Sequence, residues 1–99
     1  MVHEHEDTFA FGYRAIHDKA PKASGVYTIY TSRRWLYVGE SDDIRGSLFG
    51  HLNERASCLA RRGPLSFSFE LVAPAQRVNR QQALVTALVP ACNPAFAEL

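Results

Sequence analysis

Residues 24–39 read SGVYTIYTSRRWLYVG, and this stretch constrains the fold more than any other. Two short runs rich in β-branched and aromatic residues, VYTIY at 26–30 and WLYV at 35–38, are joined by the polar tetrapeptide TSRR. Such runs suit a pleated, half-buried surface, and a four-residue polar link has hairpin length. The spacing predicts an antiparallel hairpin ended by Gly39.

A helix follows. Asp42 or Asp43 is placed to cap its first turn, and the helix is expected to run to about Asn53. Ile44, Leu48, Phe49 and Leu52 recur at helical spacing and form its buried stripe. Gly46 and Gly50 each cost about 1 kcal/mol relative to alanine inside a helix. With Ser47 they leave one face nearly free of side-chain bulk, which suits either close packing on the sheet or a small hollow. Residues 65–72 (LSFSFELV) alternate strictly, with Leu65, Phe67, Phe69 and Leu71 on one face and Ser66, Ser68 and Glu70 on the other. That period of two marks a third strand. A second helix is expected over 79–89, with Ala83, Leu84, Ala87 and Leu88 inward and Pro90 stopping it. Tyr13 and its followers to Lys19 form a short helix with Ala15 and Ile16 inward, after a frayed start. The expected architecture is α+β, a small three-stranded antiparallel sheet flanked by helices. Residues 1–23 form an N-terminal extension with a short helix, and 24–99 form the domain.

Composition limits the partners. The 99 residues suffice for one modest core. No apolar run approaches the ~20 residues of a membrane span, and the start MVHEHED lacks the basic region of a signal peptide. A cytoplasmic, bacterial-type protein is expected, with no membrane partner. The net charge of +1 gives no support to phosphate binding by bulk electrostatics. Contacts to nucleic acid fall instead to local arginines: Arg33, Arg34, Arg45, Arg61, Arg62 and Arg80. Cys58 and Cys92 lack a C-x-x-C partner and read as a reduced, buried pair. His3 and His5 read as part of a mobile terminus.

The order Gly25-Val26-Tyr27, then Tyr37-Val38-Gly39, resembles the paired signature of the GIY-YIG nuclease family. The resemblance extends through the helix opened by SDDIR, through His51, and to Leu84-Val85 followed by PACN at 90–93, where Cys92 replaces an aromatic residue. It covers roughly residues 24–94. It implies that Tyr27 and Tyr37 line a site and that His51 matches a histidine present in some members. It also implies that Asn93 matches the closing asparagine.

The same resemblance implies a helix arginine at the phosphate and a glutamate holding one divalent metal. Phosphodiester hydrolysis needs such groups to deprotonate water, to meet the developing charge and to bind the leaving side. The arginine position falls on Ser47, eight residues after Gly39 and one turn before His51. Arg45 is two residues away, about 200° around the helix. The glutamate position falls on Gln81, twelve residues before Asn93. Glu40, Asp42 and Asp43 make the rim acidic, which repels a phosphate backbone. No residue is assigned as catalytic and no metal ligand is named.

The expectation is therefore a nuclease-like domain that does not cut and needs no cofactor. It acts as a binding module for nucleic acid, a protein partner or a small ligand. Its remnant site comprises Tyr27, Tyr37, Ser47, His51, Gln81 and Asn93, with a neutral pocket expected between Tyr27, Tyr37, His51 and Gln81. The alternative is an active DNA endonuclease using Mg²⁺ or Mn²⁺. It would take its cation from Arg45 or Arg80 and its carboxylate from Glu40 or Asp43.

Overall fold

In the computed structural model, which describes residues 8–54, 58–60 and 62–93, the expected hairpin is present and sits at one side of a four-stranded antiparallel sheet. The strands are β1 (Phe9–Ala10), β2 (Gly25–Tyr30), β3 (Trp35–Ser41) and β4 (Ser66–Leu71), in the spatial order β1-β4-β2-β3. The helices are α1 (Tyr13–Lys19), α2 (Ile44–Asn53) and α3 (Arg77–Leu88), the last preceded by a 3-10 turn at Pro74–Gln76.

The sheet exceeds the expected three strands because β1 pairs with β4 at Phe9↔Phe67 and Ala10↔Ser66. Two residues carry no alternation of their own; the Phe9 ring packs on Phe67 and Phe69, with centroids 5.3 and 6.1 Å away, and the Phe11 N–H donates to the Leu65 carbonyl at 2.9 Å. The helical start is confirmed by its cap, since the Asp43 carboxylate accepts the Gly46 N–H at 3.0 Å.

β2 is buried at every residue because the sheet is covered on both faces. On one face Tyr27, Ile29 and Phe67 pack with Ile16 of α1 and with Ile44 and Leu48 of α2. On the other, Val26 and Val38 pack with Leu84, Val85 and Leu88 of α3. This second layer also buries Ser68, whose hydroxyl bonds Thr28 Oγ1 at 2.6 Å and so satisfies both groups.

Four details depart from the sequence reading. β3 does not end at Gly39, which pairs in register with Tyr27, and the strand continues to Ser41. The inward stripe of α3 is Leu84, Val85 and Leu88, whereas Ala83 and Ala87 face solvent. Gly46 and Gly50 also face solvent, so neither admits the sheet backbone, and a side chain at Gly50 would meet nothing within 4 Å. Cys58 and Cys92 are joined as a disulfide across 34 residues of sequence. Both lie against the same core, Cys92 fully buried within it. His3, His5 and Arg61 lie outside the described residues.

β3 is an edge strand, and such an edge presents unpaired backbone groups. Here residues 91–93 cover it. The Ala91 N–H donates to the Trp35 carbonyl at 3.1 Å and the Cys92 N–H to the Leu36 carbonyl at 2.7 Å. The Asn93 amide then brackets Val38, accepting its N–H at 2.7 Å and donating to its carbonyl at 2.9 Å.

Candidate functional site

Tyr27 projects from the centre of β2 toward α2, and its ring crosses the neighbouring strand at Gly39. A Cβ built on Gly39 would stand 2.4 Å from the Tyr27 phenol oxygen, so the glycine is what lets the ring lie there. Tyr37 sits two residues earlier on β3, on the same face. His51, in the last turns of α2, closes the group from above. Its Nε2 is hydrogen-bonded to Tyr27 Oη at 2.9 Å. The Tyr37 and His51 rings lie 4.7 Å apart between centroids, and the two tyrosine rings 6.1 Å apart.

Burial controls the protonation of this triad. Tyr27 is only 3% exposed, and desolvation pushes its phenol far above the usual range. Charge on Tyr37 and Glu40 adds to the rise, and the nearby Ser47 hydroxyl opposes it. Tyr37 is raised for the same leading reason, with Glu40 second. Desolvation lowers the His51 imidazole, while Glu54 acts the other way. Near neutral pH the triad is therefore an uncharged cluster of hydrogen-bonding rings.

Ser47 stands one turn before His51 on α2, beside Tyr27. Its hydroxyl donates to Ser41 Oγ at 2.7 Å, and Ser41 Oγ also accepts the Asp43 N–H at 2.9 Å. Ser41 was not singled out from the sequence. Its position two residues before the Asp43 cap, where a serine hydroxyl can accept the cap's N–H, is the signal that could have found it.

Gln81 and Asn93 gather on Val38, the residue after Tyr37. Gln81, on α3, donates from Nε2 to the Val38 carbonyl at 3.2 Å. It thus meets Asn93 on the β3 edge, next to Tyr37 in sequence but reached from the other layer. The cleft of about 580 Å³ that His51 borders is lined by Phe11, Leu52, Leu59, Pro64 and Leu65 among others. Neither tyrosine nor Gln81 lines that cleft.

The arginines are dispersed among separate elements. Arg33 and Arg34 lie in the hairpin turn, where both backbone N–H groups donate to Thr31 Oγ1 at 3.0 Å. Arg45 donates to the Ala20 carbonyl at 2.8 Å, Arg62 to the Cys58 carbonyl at 3.0 Å, and Arg80 to Glu70 at 3.0 Å. Arg77, not foreseen from the sequence, pairs with Glu40 at 2.8 Å and also reaches Ser24 Oγ. The acidic rim is thereby partly neutralised: Glu40 is paired and Asp43 is spent on the helix cap. Among the described residues no three His, Cys, Asp or Glu side chains converge as a metal site. The donors present, a neutral Gln81 amide turned onto a carbonyl and a Glu40 paired with Arg77, do not fit a hard divalent cation.

No protein-family model matches the sequence, and no curated protein matches it. Solved structures do. The GIY-YIG N-terminal endonuclease domain of UvrC from Thermotoga maritima, bound to magnesium, superposes with a TM-score of 0.64 at 20% identity. That match covers 83% of this chain and 99% of the other. Two tyrosine-to-phenylalanine variants of the same domain, bound to its catalytic divalent cation, also match with a TM-score of 0.64.

The fold is GIY-YIG-like. At such identity the likeness establishes architecture, and the chemistry has to be argued from the side chains in place. In this GIY-YIG-like frame the described residues contain no helix long and apolar enough to cross a membrane.

Proposed function

We propose that this chain is a GIY-YIG-type domain that binds its target without cutting it. One observation carries the reading. Where the resemblance calls for a cation on α2, the Ser47 hydroxyl is engaged with Ser41 Oγ at 2.7 Å. A hydroxyl held this way supplies no fixed positive charge to a phosphate, and loss of one such contact typically costs 10²–10³ in rate. The amide of Gln81 on the Val38 carbonyl supports the same conclusion for the metal.

The relocated-residue alternative finds no support in the side-chain arrangement. Arg45 and Arg80 are bonded elsewhere, Glu40 is paired with Arg77, and Asp43 caps α2. The target class most consistent with the fold is nucleic acid, read through the half-buried rings of Tyr37 and His51 together with the exposed arginines of the hairpin turn. Aromatic rings stack on bases and tolerate sequence, which suits binding without strong bulk charge. The cytoplasmic placement, and the division into an extension at 1–23 and a domain at 24–99, belong to this same proposal.

The test compares the wild-type chain with Ser47→Arg, Gln81→Glu and the double substitution, using supercoiled plasmid with Mn²⁺ or Mg²⁺. The wild-type protein and both single variants are expected to leave the plasmid intact, and the double variant to nick it. Wild-type nicking abolished by Tyr27→Phe would overturn the reading and favour the enzyme.

A further inference from the structure

The disulfide joins two parts of the molecule with different roles. Cys58 is half-buried in the segment after α2, and Arg62 reaches back to it, with Nη2 3.3 Å from Cys58 Sγ and Nε on the Cys58 carbonyl. Cys92 is fully buried and lies in the middle of the 91–93 strip that occupies the outer edge of β3. That strip grips Trp35, Leu36 and Val38, the residues on either side of Tyr37.

We propose that Cys58–Cys92 is a redox latch that holds the 91–93 strip on the β3 edge, and that a dithiol releases it. In the oxidised chain the bond keeps the strip against the strand that carries Tyr37. In the reduced chain the strip keeps its four hydrogen bonds and the burial of Cys92 but loses its covalent tie, and the edge opens more readily. This inference does not depend on whether the domain cuts or binds nucleic acid.

The chemistry balances as ordinary thiol–disulfide exchange. A thiolate of the dithiol attacks Cys58 Sγ, the more accessible sulfur, and Cys92 leaves as a thiolate that takes up a proton. The second thiol of the reagent then attacks the mixed disulfide and expels Cys58. Two electrons and two protons pass to the protein, and the dithiol becomes a disulfide. The Arg62 guanidinium stands beside the attacked sulfur and favours approach of the anionic thiolate in the step that frees Cys92. A cation beside a half-exposed sulfur speeds reduction and adds nothing to a permanent cross-link. Where thiol pools are reducing, disulfides are typically transient and redox-sensing, which is the setting such a latch requires.

The experiment is residue-resolved amide hydrogen exchange on the full chain, air-oxidised and then treated with dithiothreitol. Reduction is expected to speed exchange at Val38, Ala91 and Cys92 by about tenfold or more, and to leave Thr28 and Phe69 in the sheet interior unchanged. Cys58→Ser should show the reduced pattern in both buffers. Arg62→Gln should keep the oxidised pattern but release the strip several-fold more slowly after dithiothreitol. Unchanged protection at Val38 and Cys92 on reduction would overturn the latch, as would acceleration spread evenly through β2 and β4. Two titratable thiols in the air-oxidised chain would overturn it as well.

Discussion

The ring of Tyr27 rests on the bare backbone of Gly39, its partner across the β2–β3 ladder. The pairing explains why a glycine sits inside a buried strand, where it otherwise weakens the ladder. It also makes the position of the Tyr27 phenol depend on the residue opposite.

Gly39→Ala is therefore expected to displace the Tyr27 ring and break its bond to His51. Overpacking of this kind typically destabilises by ~1–3 kcal/mol. Urea denaturation reads the loss, and the His51 ring resonances in NMR should move with it. The matching change Gly50→Ala, where a Cβ meets open space, should not destabilise and is expected to raise stability by up to ~1 kcal/mol.

His51 gives the protein a pH dependence of defined sign. Its imidazole is depressed in the folded state by burial, against 6.5 in the unfolded chain. As pH falls below about 6.5 the unfolded chain takes up this proton first. Stability from this group is thus fully present above that pH and is lost as pH drops toward the lowered native value. The slope reaches at most ~1.4 kcal/mol per pH unit. Urea midpoints measured from about pH 8 down to about pH 5 should show the wild type losing stability faster than His51→Gln.

Asn93 holds Val38 with both ends of its amide. Asn93→Ala leaves the Val38 N–H without its acceptor and the Val38 carbonyl with Gln81 alone, and ~1–3 kcal/mol is the expected loss. Asn93→Asp is the sharper variant. It can still accept the Val38 N–H, but it sets carboxylate oxygen against the Val38 carbonyl. It should be no more stable than the alanine variant at neutral pH and should recover part of the loss when acidified. Chemical denaturation at two pH values checks both.

Val89 ends α3 in the left-handed region, at φ 49° and ψ 60°, with 74% of its surface exposed. A β-branched residue is strained there by roughly 1–2 kcal/mol, and glycine relieves the strain while costing some entropy. Val89→Gly is expected to raise the denaturation midpoint, with a net gain of about 1 kcal/mol.

Much of the fold was legible because its signals are local. The Tyr27 and Tyr37 strands, the Asp43 cap and the Phe67–Phe69 alternation each lie within a few residues of what they specify. What was not legible depends on distant partners. Phe9 becomes a strand only because Phe67 is there to receive it, and Cys58 finds Cys92 only after the chain has folded. In α3 the alanines suggested the wrong inward face, since small apolar residues fit solvent as readily as core, and Leu84, Val85 and Leu88 set the true one. At the site, the grouping of Tyr27, Tyr37 and His51 was implied by the family resemblance, and the rings do meet. The turning of Gln81 onto Val38 could not be read in advance, because an amide is satisfied wherever a carbonyl lies within reach.

The full enclosure of β2 also orders the folding reaction. Its hairpin with β3 forms between sequence neighbours, whereas the Thr28–Ser68 bond to β4 closes a span of 40 residues and waits on that larger loss of chain entropy. The nucleus is then expected to be the β2–β3 ribbon with α2 collapsed on it, with β4 docking on the downhill side of the barrier. Substitutions around Tyr27 should slow folding itself, while those at Phe67 and Ser68 should mainly quicken unfolding.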